Sequence, residues 1–211
     1  MHDRDFYEAA WDSLPPGLEP SEIRLRAAFL REQLASLTVG ARVLDVGCGE
    51  GVFTALLATM GADVLGADVA EEPLRRARVA HPQLRFELMP VDGAWPFEDA
   101  CFDAVWAGEV IEHLADTAAW LSELRRVLRS GGLLLLSTPD HGLLTRLASA
   151  VSHRRFAARF DPRGQHLRFY ERTTLSHLIQ DFGFEQIRVR GAGGPPGPRR
   201  VRLARAVRAR F

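Results

Sequence analysis

The densest chemical signal in this 211-residue chain is Val43-Leu44-Asp45-Val46-Gly47-Cys48-Gly49-Glu50-Gly51, a strand-like apolar run that passes straight into a glycine-rich turn and then a helical pattern. Such a turn lets a ligand approach bare backbone, and the amides at the start of the following helix accept an anionic group. A dinucleotide-type Gly-x-Gly-x-x-Gly that starts at Gly47 requires glycine at position 52, where Val52 stands instead. Asp45, two residues before the first glycine, offers a carboxylate to an ammonium group or a bound water. Asp68 ends the next strand-like block, where a carboxylate takes both hydroxyls of a ribose. Asp92 follows the third block and is placed for an adenine amino group.

These residues need a scaffold that brings several strand ends together, and the periodicity supplies one. Blocks of strand and helix character alternate, which predicts an α/β sandwich around a mainly parallel sheet. Strands are expected over residues 42–46, 63–67, 84–89, 102–107, 133–138 and 184–190, with Gly131-Gly132 as the stop before the fifth. Its near-continuous apolar run suits a strand buried on both faces. Helices are expected over residues 21–37, 52–60, 117–128 and 173–181, and another, with Pro73 in its first turn, runs to about Ala80. Residues 201–211 are compatible with strand or helix, and residues 191–198 read as a hairpin loop.

The chain resembles the class I S-adenosylmethionine-dependent methyltransferases. The resemblance is carried by Asp45 to Gly51, Gly66-Ala67-Asp68-Val69, Val91-Asp92-Gly93-Ala94-Trp95-Pro96-Phe97, Phe102-Asp103-Ala104-Val105, Glu109-Val110-Ile111-Glu112-His113-Leu114 and Arg129-Ser130-Gly131-Gly132, in that order. It implies a three-layer α/β/α Rossmann-like methyltransferase fold with a seven-stranded, mostly parallel sheet in the order 3-2-1-4-5-7-6. An N-terminal helical cap over residues 1–38 precedes a donor-binding domain over residues 39–211. The implied cofactor is S-adenosyl-L-methionine. By the resemblance, Gly47, Cys48 and Gly49 pack on its methionine and ribose portions beside Asp45, Asp68 binds the ribose, and Val69 lies against adenine. Asp92 and Gly93 meet the adenine edge, and Glu109 faces the methionine end. Glu109-x-x-Glu112-His113-Leu114, Ser137-Thr138-Pro139-Asp140 and Gln165-His166-Leu167-Arg168-Phe169-Tyr170 are similar to the ubiquinone-biosynthesis O-methyltransferases and related enzymes, which implies methylation of a small-molecule acceptor, at a hydroxyl oxygen first, with N- or C-methylation, or a donor-binding module with little catalysis that acts through a membrane or partner, as the alternatives.

A hydroxyl acceptor must lose its proton, and histidine titrates near working pH. His113, after the fourth strand, is the first candidate for general base, His166 the rival and His141 a third. No metal ligand set is assigned. The absence of Asp/Asn-Pro-Pro-Tyr after strand 4 counts against DNA adenine methylation, and Glu109 and Glu112 are too close for the double-glutamate loop of arginine methyltransferases.

Composition bounds the rest. All 27 Lys-plus-Arg positions are arginine, and asparagine is absent, which excludes Schiff-base and P-loop lysine chemistry. Residues 1–140 carry 12 Arg against 23 Asp and Glu, residues 141–211 carry 15 against 4, and the two halves are expected to neutralise each other by folding together. Nucleic acid is not the expected partner, because the Arg-rich residues 199–211 also suit a closing strand. The basic, apolar segment over residues 143–160 is read as a lid helix, with transient membrane-surface contact as the alternative. Two cysteines and no signal-like start lead to the expectation of a cytoplasmic protein.

Overall fold

In the computed structural model, residues 4–17, 19–20, 22–140, 151–154, 157, 166–193 and 201–210 are described. The expected helix and membrane contact over residues 143–160, and His141, lie outside them except for residues 151–154 and 157. Helices α1 (Arg4–Asp12) and α2 (Ile23–Leu34) lead into β1 (Arg42–Val46), α3 (Val52–Thr59), β2 (Asp63–Asp68), α4 (Glu71–Ala80) and β3 (Arg85–Leu88). Then follow β4 (Phe102–Gly108), a 3-10 turn (Ile111–His113), α5 (Thr117–Val127) and β5 (Leu128–Pro139). The described chain closes with α6 (Arg172–Asp181), β6 (Phe184–Ala192) and β7 (Val201–Arg208).

The seven strands form one sheet in the order β3-β2-β1-β4-β5-β7-β6. The first five are parallel to one another, and β7 runs antiparallel between β5 and β6. Both faces are buried, and the alternation along the central strands shows how. Val43, Ala104, Trp106, Leu133 and Leu135 pack with Phe29, Leu30 and Leu34 of α2 and Phe53 and Leu57 of α3. Leu44, Val46, Val105, Ala107, Leu134 and Leu136 pack on the other face with α5 and α6. A period of two with no polar face is what a parallel sheet between two helical layers requires. α2 thus belongs to the sandwich, and the part of the N-terminal segment that lies over the strand ends is α1.

Local signals explain the helix limits. Asp116 caps α5 by accepting the Ala119 amide at 2.9 Å, and Thr117, Trp120, Leu121, Leu124 and Val127 form its buried stripe. Thr174 Oγ1 accepts the Glu171 amide at the start of α6 at 3.1 Å. Gly131-Gly132 do not stop the chain before β5, which already pairs Leu128 with Phe102 and then shifts register to pair Leu133 with Ala104. The glycines sit inside this irregularity, as in a bulge, so a turn-like dipeptide lies within a strand.

Polar side chains also lie deep in the central strands, Asp45, Ser137 and Thr138 among them. Asp45 is 1% exposed and accepts a 2.6 Å hydrogen bond from Thr54 Oγ1 of α3. Burial pushes its carboxyl up from 3.8 to about 7, against the opposing pull of that hydrogen bond.

Leu135→Ala, at a fully buried position of β5, is expected to cost about 2–5 kcal/mol, read as a lower urea midpoint at unchanged m-value; a loss below about 1 kcal/mol contradicts this packing. For Asp45, the folded state keeps a proton that the unfolded chain releases at lower pH, so this group's contribution to stability falls as pH rises from about 4 to about 7. Asp45→Asn keeps an acceptor for Thr54 and removes the titration, so urea unfolding across that window is expected to lose this decline. Parallel pH profiles for the two proteins would contradict the assignment.

Candidate functional site

The sequence turns away in opposite directions on either side of β1, to β2 and β3 on one flank and β4 and β5 on the other. Crevices at the carboxyl ends of such diverging strands are where open α/β sheets bind ligands. A cavity of about 240 Å³ lies there. Its floor is made by Val46 and Gly47 after β1, Asp68 and Val69 after β2, and Met89, Pro90 and Val91 after β3. Glu109, Val110 and His113 bound it after β4, Trp95 and Trp120 close one wall, and Phe6, Tyr7 and Trp11 of α1 cover it.

The glycine turn is anchored from two sides. The amides of Gly47 and Cys48 donate to the Ala67 carbonyl at 2.8 and 3.1 Å. The Gly49 amide donates to Asp68 Oδ2 at 3.0 Å, and the Ala70 amide to Oδ1 at 3.1 Å. Each carboxylate oxygen of Asp68 therefore carries one backbone donor and retains acceptor capacity for another. Burial raises the Asp68 carboxyl, and these amides pull it back down. Glycine is required by close approach. A Cβ at Gly47 would stand 2.4 Å from Val110 Cγ2, and one at Gly49 would stand 2.9 Å from the Trp11 ring. The Cys48 thiol is buried among Leu74, Ala77 and Phe86, and desolvation pushes it well above its ordinary range, so it is a packing group.

Beyond β4 the backbone is strained. Glu109 has φ +59°, a left-handed conformation uncommon outside glycine. Three contacts hold it: its amide donates to the Ser137 carbonyl at 3.0 Å, its Oε1 accepts Ser137 Oγ at 2.9 Å, and its Oε2 lies 3.5 Å from Arg26 Nη2. Arg26 is only 2% exposed. Glu112 is also buried, and desolvation together with the Glu109 charge pushes its carboxyl up to about 8.

His113 lines the cavity, with Nε2 3.9 Å from Glu112 Oε1. The amides of Leu167 and Arg168 donate to the Glu112 carbonyl at 2.8 and 3.1 Å, which brings the next segment alongside. His113 and His166 therefore meet edge to face, with ring centroids 4.8 Å apart. Glu112, His113 and His166 together bring one ligand-type atom apiece within 4.8 Å of one another, a spacing that suits a divalent cation and that the sequence left unassigned.

The site residues read from sequence are thus partly convergent. Gly47, Asp68, Val69, Glu109 and His113 line the cavity, and Cys48 and Gly49 belong to its turn. Asp45 lies beneath, facing Thr54. Asp92 and Gly93 are exposed on the loop that follows Val91, although burial, and after it the Asp68 and Asp92 charges, raises the Tyr7 hydroxyl. Arg26 was missed. It was legible as a charge on the inward stripe of α2, three residues after Ile23 and four before Leu30.

Comparison with known proteins agrees with this geometry. A family model described as a methyltransferase domain matches residues 21–189. A ubiquinone biosynthesis O-methyltransferase from Xanthomonas oryzae pv. oryzae is 35% identical over 165 residues, covering 74% of this chain and 66% of that protein's length. The biotin biosynthesis bifunctional protein BioHC of Cellvibrio japonicus is 33% identical over 177 residues, covering 84% of this chain and 33% of its own. Among solved structures, phosphoethanolamine N-methyltransferase 2 of Haemonchus contortus in complex with S-adenosyl-L-methionine superposes with a TM-score of 0.70 at 19% identity, over 88% of this chain and 52% of that one. An S-adenosylmethionine-dependent methyltransferase from Mesorhizobium loti gives 0.65 at 21% identity, over 86% and 98%. With its sheet order, its glycine turn and the family match in agreement, the chain belongs to the methyltransferase-domain family of class I, S-adenosylmethionine-dependent fold.

Proposed function

We propose that this chain is an S-adenosyl-L-methionine-dependent methyltransferase that methylates a hydroxyl oxygen of a small-molecule acceptor. The observation that carries the reading is the cavity at the ends of β1, β2 and β4, where the glycine turn, Asp68, Glu109 and His113 share one space. The cofactor, when bound, supplies an electrophilic methyl group on a sulfonium sulfur.

The residues present fit such a donor. The oxygens of Asp68 keep lone pairs for two ribose hydroxyls while their backbone donors hold the carboxylate still. Val69, Met89, Pro90 and Val91 form an apolar slot for a purine, with Asp92 and Gly93 following as candidates for its polar edge. Glu109 presents negative charge toward the methionine end, and the buried Arg26 stands beside that charge as its partner. In this reading His113 takes the acceptor's proton, supported by its position in the cavity wall with His166 packed against it. Aromatic walls around them exclude water and restrict the acceptor's orientation, which is most of what an in-line displacement needs from a protein.

The relatives' names support the acceptor class, since several are O-methyltransferases acting in ubiquinone biosynthesis. Charge supports a small partner over a polyanion. Arg202 of β7 is buried against Asp140 at 2.5 Å, and Arg208 donates to the Leu128 carbonyl, so these arginines are committed inside the fold. No helix among the described residues is long and apolar enough to cross a membrane.

The test is methyl transfer from labelled donor to a panel of phenols, catechols and amines. Transfer to a hydroxyl is expected, and His113→Ala is expected to lower turnover by about a hundredfold or more while S-adenosylhomocysteine still binds. If His113→Ala turns over normally and His166→Ala does not, the base is His166. If neither loss matters, the base assignment fails, and transfer only to amines would overturn the oxygen specificity.

A further inference from the structure

α1 is joined to the fold in an unusual way. None of its residues is fully buried, so it has no core anchor of the kind that holds α2. Polar tethers fasten it at separate points around the cavity. Arg4 Nη2 donates to the Met89 carbonyl at 3.1 Å, and the Tyr7 hydroxyl to the His113 carbonyl at 3.2 Å. Arg76 of α4 donates to the carbonyls of Trp11 and Leu14 at 3.3 and 3.0 Å. The strongest tether is Glu8. Its two carboxylate oxygens accept the amides of Glu71 and Glu72, at 2.5 and 3.0 Å. Those are the first two amides of α4, which have no partner within their own helix, and a carboxylate there also meets the positive end of the helix dipole.

The other face of α1 is aromatic. The Trp11 ring rests on Gly49, at a distance that leaves no room for a Cβ, and Phe6, Tyr7 and Ala10 complete the cover. A ligand that fills the cavity beside Gly47 and Asp68 therefore lies beneath α1.

From these contacts we infer that α1 is the gate of the donor cleft and that Glu8 is the positioning residue that latches it. This rests on the donor site proposed above. Segments held by few buried contacts open locally, far more often than the whole domain unfolds, and a ligand that gains contacts under the closed helix shifts it toward closure. Loss of the latch raises the opening rate without touching any group that meets the reacting atoms. Donor release accelerates while the chemical step is preserved.

The experiment uses the full chain and Glu8→Gln, which retains size and one acceptor while removing the charge. Hydrogen–deuterium exchange on the donor-free proteins is expected to show exchange across residues 4–12 rising about tenfold in the variant, with β4 and β5 unchanged. Stopped-flow release of S-adenosylhomocysteine, followed by tryptophan fluorescence, is expected to be about three- to tenfold faster, with KM for the donor raised and kcat preserved or increased. A merely structural role for Glu8 would lower the melting temperature and leave the release rate as it was. Release at the wild-type rate with unchanged exchange in α1 would overturn the latch. If Glu8→Gln folds poorly, Trp11→Leu removes the cover from the other face, and unaltered donor release in that variant would overturn the gate. Failure of the wild-type chain to bind S-adenosylhomocysteine would instead remove the proposed donor site, and the exchange comparison on donor-free protein would still decide whether Glu8 holds α1 down.

Discussion

The Asp68 carboxylate is the fixed point of the site. It is buried at the end of β2, and a buried carboxylate is tolerable only when its lone pairs are met by donors. Gly49 and Ala70 meet them from the two sides, so the carboxylate clamps the glycine turn to the strand that precedes α4. The Ala67 carbonyl adds a second clamp on Gly47 and Cys48. The turn is consequently held with its bare backbone facing the cavity, and the strand order, which splits at β1, keeps the space above it free of sheet.

Charge gives that space its chemical preference. Asp45, Asp68 and Glu112 are buried and Glu109 nearly so, and beside Glu109 stands the buried cation Arg26. Burial raises all four carboxyls, Asp45 to about 7 and Glu112 to about 8, so the cluster sheds part of its own repulsion by keeping protons. A ligand that brings positive charge into the cleft relieves the rest. That is a physical reason for a site of this composition to favour a sulfonium and an ammonium group over a pyrophosphate, which the glycine spacing had already argued against.

The order of strands was legible because apolar runs of strand length separated by amphipathic helices admit few arrangements, and the match with known motifs selected one. The glycine turn, Asp68 and Glu109 were legible for a related reason: each sits at a strand end, and strand ends converge by construction. What the sequence concealed depends on contacts between distant segments. Gly131-Gly132 carries the composition of a stop, and only the pairing with β4 reveals a strand that starts at Leu128. Glu8 looks like any exposed helical acid until α4 brings its free amides alongside, 63 residues away. The meeting of His113 with His166 likewise depends on the Glu112 carbonyl, which captures the returning chain. The charge asymmetry resolves in part through pairs that join the halves, such as Arg190 with Glu32 and Arg202 with Asp140.

Asp68 and the turn it holds are expected to grip a sulfonium nucleoside. Calorimetric titration of S-adenosyl-L-methionine and S-adenosylhomocysteine into the wild-type chain and Asp68→Ala measures that grip. Saturable binding of both ligands to the wild type is expected, with a loss of about tenfold or more in the variant, the weight of a charged hydrogen-bonding partner. Absence of binding to folded wild-type protein, or equal affinity for Asp68→Ala, would contradict the account.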